Sequence, residues 1–173
     1  MNSTKAQSKN IILNYGALLG GTSILISLIQ YSLGQHLSPN MAYGLISIVI
    51  MILATFLGIK KLKSENGGFL TFGEAVKIGV GIAVVSAVIS IIYNQVFMNF
   101  IEPDFMDQLI AKQEEDFFNR GMTEEQIEAA MKMTNKMKGP FISSAVGIVA
   151  SAFIGFIISA ITGAIMKQSQ EEA

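Results

Sequence analysis

The chain has no cysteine and no tryptophan, one histidine, three prolines, and only 14% charged residues. Without cysteine, disulfides and thiolate metal sites are excluded, and the composition suits a reduced compartment and a bacterial envelope alike. The lone His36 supplies no metal cluster, so neither a metal nor a cofactor is expected. A net charge of −1 without a basic, aromatic-interleaved patch argues against a nucleic-acid partner.

What replaces charge is apolar surface. The 173 residues are 51% hydrophobic with a mean hydropathy of +0.50, outside the range of a soluble domain. The predicted fold class is all-α: an integral membrane four-helix bundle with an amphipathic extramembrane helical hairpin between spans 3 and 4. The lipid bilayer is its first partner.

Met1 to Asn10 is polar, with Lys5 and Lys9 ahead of an apolar run from about 11 to 33. That run is too long for the core of a cleaved signal peptide and lacks a small-residue cleavage site, so a retained signal-anchor span is expected. Gly16 and Gly20 form a G-x-x-x-G within it. Gly34, Ser38, Pro39 and Asn40 mark a short uncharged turn, and His36 within it reads as a solvated loop residue. The second span covers about 41–59 and ends on Lys60, Lys61 and Lys63.

A Gly-rich turn then leads to Thr71 and Glu74, spaced as a capping box for a third span over 76–101. Ala75, Gly79, Ala83 and Ala87 recur every fourth residue on it, beside a polar row of Ser86, Ser90 and Asn94. Residues 102–138 change character, with nine acidic and five basic side chains. Pro103 suits the first turn of an amphipathic helix, a break falls at Asn119 to Gly121, and Thr123 with Gln126 caps a second helix.

The fourth span, 141–166, carries small residues at Ser143, Gly147, Ser151, Gly155, Ser159 and Gly163. In lipid, helices gain contact energy where small residues let backbones approach, so this ladder is the predicted packing spine. Each four-residue step turns about 40° round the helix, so one straight neighbour cannot use all six. The ladder is expected either to guide a right-handed crossing against the ladder on span 3 or to divide its ends between two neighbours. Four spans put both termini on one side with Lys5, Lys9, Lys60, Lys61, Lys63, Lys77 and Lys167, which the positive-inside rule makes cytoplasmic. Lys132, Lys136 and Lys138 beside span 4 oppose that assignment.

The segment GGFLTFGEA (Gly67 to Ala75) follows a Gly-Ile-Lys-Lys end of span 2. With YNQVFMNFIEPDF (Tyr93 to Phe105) and the turn at Gly121 to Glu128, it resembles the bacterial membrane family called domain of unknown function 4199. The resemblance covers most of the chain. It implies a four-span inner-membrane protein with no established activity and no functional residues to carry over.

Glu74 and Lys77 are the ionisable pair nearest a span, but capping and snorkelling at the interface explain both. Ser86, Ser90 and Asn94 suit a polar path, or plain interhelical hydrogen bonds worth about 0.6 kcal/mol each. The acidic clusters at 114–116 and 124–128 lack calcium-loop spacing and read as solvated helix faces. No nucleophile, base or metal constellation appears, so no enzyme is expected. The leading expectation is a non-enzymatic interaction or envelope-associated protein, self-associating or holding a protein partner through 102–138. A small transporter or channel subunit with its path along span 3 is the alternative.

Overall fold

The computed structural model describes residues 2–38, 41–137 and 139–168. Pro39, Asn40 and Lys138 lie outside them, as do the side chains of Lys5 and Met137. The elements are α1 (Asn2–Ser32), α2 (Met41–Glu65), α3 (Phe72–Val96), a π-helical turn (Phe97–Ile101), α4 (Phe105–Asn119), α5 (Glu124–Met137) and α6 (Pro140–Met166). The fold is all-α, and α1, α2, α3 and α6 are each long and apolar enough to cross a membrane.

The helices outrun the apolar stretches. The polar lead-in is helical from Asn2, and α2 continues past Ile59 through its lysines, with Lys61 paired to Glu65 at 3.1 Å. Helix formation needs only backbone hydrogen bonds, so it does not stop where lipid-compatible residues do. At the start of α3 the capping box forms: the Glu74 amide donates to the Thr71 hydroxyl at 3.2 Å, and the Thr71 amide donates to the Glu74 carboxylate at 2.9 Å. Thr123 and Gln126 close α5 in the same way, at 3.0 and 3.4 Å. Gly121, with φ of +76°, makes the reversal between α4 and α5. Pro103 precedes α4 and is not in its first turn, because the π turn uses up the chain as far as Ile101.

Packing centres on α3, which lies against α1, α2 and α6. Gly16 and Gly20 of α1 seat Val85 and Ile89 of α3, where an added Cβ would stand 2.7 and 3.0 Å from those side chains. Most of the core lies at the end carrying the two termini, where Ile11, Ile59, Leu62, Leu70, Ile78 and Ile82 are buried together, while Phe97 and Ile127 are buried at the hairpin end. An isolated β-bridge between Leu70 and Gln168, both bonds 3.0 Å, fastens the α2–α3 turn to the end of α6. The Lys63 ammonium adds a 2.9 Å bond to the Met166 carbonyl.

Toward the hairpin α2 and α6 spread out of the core, while α1 stays against the end of α3 through Tyr31 and Phe97, whose ring centroids are 5.2 Å apart. The buried residues of α2 are Ala54, Thr55, Gly58, Ile59 and Leu62, and those of α6 are Gly155, Ser159, Thr162 and Gly163, all in the terminal halves of their helices.

Candidate functional site

The seam between α3 and α6 sets where this spreading begins. Because the helices run antiparallel, Gly163 meets Ala75, Ser159 meets Gly79 and Gly155 meets Ala83. A Cβ on Gly155 would lie 2.6 Å from that of Ala83, and one on Gly163 2.7 Å from that of Ala75. A Cβ on Gly79 would overlap the Ser159 side chain outright. The next pair in register, Ser151 and Ala87, lies on the wall of a cavity instead. One step further, Gly147 has open space where a Cβ would stand, so it takes no part in this seam. The rotation of about 40° per step carries the outer ladder away from α3.

The cavity, of about 280 Å³, is lined by Ser23 of α1, Ser47 of α2, Ser86 and Ser90 of α3, and Ser151 of α6. Apolar side chains such as Leu19, Met51 and Ile154 complete the wall. Ser23 and Ser47 donate their hydroxyl protons to the Leu19 and Tyr43 carbonyls at 3.0 and 2.9 Å. The hydroxyls of Ser86, Ser90 and Ser151 make no hydrogen bond to the described residues. Ser47 also lines a larger cleft of about 620 Å³ between the α1–α2 turn and α4. Gln30, Tyr43, Lys112, Asp116 and Arg120 contribute to that cleft. Lys112 donates to Glu115 at 3.0 Å and stands 3.6 Å from Asp116. The Glu115 hydrogen bond first, then the two carboxylate charges, raise its pKa above the ordinary lysine value.

Between cleft and bundle sits a group that sequence reading missed. His36 is not a solvated loop residue: its ring is only 16% exposed, with Nε2 2.9 Å from one Glu102 carboxylate oxygen and 3.2 Å from the other. Phe105 stacks on it at 6.0 Å, and Tyr31 and Phe97 meet it edge-on at 5.0 and 6.4 Å. Gln108 donates to the same carboxylate at 3.1 Å. The turn folds over the end of α3, the rings shield the contact, and the hydrogen bonds to the Glu102 carboxylate offset the cost of burying both groups. Phe97 and Phe105, close to Glu102 in sequence, were the available signal, but nothing local links them to residue 36.

Of the other sequence-selected residues, Ser86 and Ser90 share the serine cavity. Asn94 does not, and instead lines a separate space of about 90 Å³ with Gln30, Tyr93 and His36. Glu74 is engaged by Thr71 at the terminal end, Lys77 is exposed, and no ion pair joins them. Among the described residues, no three His, Asp or Glu side chains converge as a metal centre requires. Ser47 stands alone in an apolar run and Ser23 follows only Thr22, so neither forms a row in the sequence, and only helix pairing brings them together.

No curated protein and no solved structure matches the chain. The family model described as protein of unknown function (DUF4199) matches residues 14–168, nearly the whole length, and the chain belongs to that family.

Proposed function

We propose that this is a non-enzymatic multi-pass membrane protein that admits a small polar solute from the hairpin side, as a small transporter or channel subunit does. The observation that carries the reading is the convergence of Ser23, Ser47, Ser86, Ser90 and Ser151 from four helices on one cavity. Ser47 continues the polar wall into the cleft beneath α4, and the buried core closes the route at the terminal end. Isolated serines within spans normally satisfy themselves on their own helix, so unpartnered hydroxyls around a shared space favour a hydrated site. Helical spans suit an inner-membrane setting, and Lys60, Lys61, Lys63, Lys77 and Lys167 at the terminal end support cytoplasmic termini with the cleft facing outward.

The natural absence of cysteine makes the test direct. A membrane-impermeant thiol reagent applied from the hairpin side should modify Ser90→Cys and leave Thr55→Cys, fully buried in the closed half, unmodified. Equal labelling of both, or of neither, removes the reading.

A second reading has its own support: α4 and α5 form an interaction module. Helix α5 packs mainly on α4, through contacts such as Thr134 to Gln113 at 3.2 Å, while Phe118 and Met133 stay 71% and 67% exposed. Crosslinking in membranes tests it. A protein that stays monomeric and partner-free, and works normally without residues 104–138, would exclude this role.

A further inference from the structure

We infer that the serine cavity selects small neutral solutes bearing hydroxyl groups, the class of short polyols, and excludes ions of either sign. This deepens the solute-entry reading above and rests on it. Among the described residues, no Lys, Arg, His, Asp or Glu side chain lines the cavity, although Lys112, Asp116, Arg120 and His36 all line the cleft that leads to it. An ion can therefore be attracted into the cleft, but on passing Ser47 it would lose its hydration shell with no counter-charge and no ring of carbonyls to replace it.

The hydroxyls offer a specific match. Ser23 and Ser47 donate their protons to backbone carbonyls, so toward a ligand their oxygens can act only as acceptors. Ser86, Ser90 and Ser151 keep theirs and can donate or accept. A ligand made of hydroxyl groups does both and satisfies both sets. A ketone or an ether has acceptors only and leaves the Ser23 and Ser47 oxygens without a donor. The remaining wall, Leu19, Met51, Ala83, Ala87 and Ile154, suits the carbon face of a short polyol. At about 280 Å³ the space falls just below the range of drug-sized pockets, which limits the ligand to a few carbon atoms.

The test uses the full chain in lipid vesicles with single cysteines at Ser90→Cys and, on a different helix, Ser151→Cys. Each is treated with a neutral hydroxyethyl, a cationic trimethylammonioethyl and an anionic sulfonatoethyl methanethiosulfonate. Rates are divided by those of Met133→Cys, which is 67% exposed on α5. Because the same thiol meets all three reagents, its own reactivity cancels. The neutral reagent should lead both charged ones by at least about tenfold, as the uncompensated ion predicts. Glycerol should slow the neutral reaction at Ser90→Cys and not at Met133→Cys.

Charged reagents reacting within about twofold of the neutral one would overturn the exclusion of ions while leaving solute entry intact. Absence of glycerol protection would overturn the polyol assignment and leave a water-filled cavity. If none of the three reagents reacts, the cavity is closed to aqueous solutes, and both this inference and the reading beneath it fail.

Discussion

Helix α6 carries one repeating pattern of small residues, yet its two halves behave differently. In the terminal half, Gly155, Ser159 and Gly163 lie so close to α3 that a Cβ at either glycine would strike an alanine. In the hairpin half, Gly147 meets nothing, and the seam gives way at Ser151 and Ala87 to a cavity. Small residues permit close approach but do not compel it, and the axes must stay in register for the contact to form. One closed end and one spread end give the molecule a rigid base and a chamber above it.

The sharpest way to break this comparison is to place the same side chain in both halves. Gly79→Leu should cost about 3 kcal/mol or prevent assembly, because the branch must displace Ser159 or Thr55. Gly147→Leu should leave the unfolding midpoint in detergent unchanged, since the site is open. Equal effects would mean that the two halves do not differ in packing.

A smaller effect is expected at the hairpin end. Glu102→Gln removes the charge facing His36 and should loosen the α4–α5 hairpin by about 1–2 kcal/mol. Trypsin cleavage after Arg120 would rise, while the unfolding midpoint of the spans stays put. A coupled loss of both would show that the ends are one cooperative unit.

The caps give a finer version of the same contrast. Thr71→Ala removes half of the box that starts α3 and should cost about 1 kcal/mol, read in global unfolding. Thr123→Ala removes the equivalent at α5 and should appear only as faster amide exchange there.

The smallest effect concerns Lys112. Its folded pKa lies above the ordinary value of 10.5, so its contribution is complete below that value and is lost as pH rises through the folded pKa. Amide exchange in α4, corrected for the intrinsic pH dependence, should therefore be flat from neutral pH to about 10 and rise beyond it. Lys112→Met should abolish that rise.

Much of the architecture was legible because it is written locally. Apolar runs longer than a bilayer core, a Thr-x-x-Glu box before one of them and a positive-φ glycine between two amphipathic segments each act within a few residues of themselves. That the ladders on α3 and α6 meet was legible as well, but the register that pairs Gly155 with Ala83 and Gly163 with Ala75 was not. The candidate site was legible only in part. Ser86 and Ser90 share a helix face and were visible as a row, whereas Asn94 drifts off that face with the helical rotation.

The sequence by itself determined a membrane protein of four long apolar helices with a charged hairpin between the last two, because hydropathy and capping are properties of neighbouring residues. It also determined which small residues were available for close packing. Only the tertiary structure decided which of them are used, that His36 is shielded against Glu102, and that serines from four helices face one space. Those outcomes depend on where helix axes converge and diverge over the depth of a membrane, and no local stretch of the chain encodes that geometry.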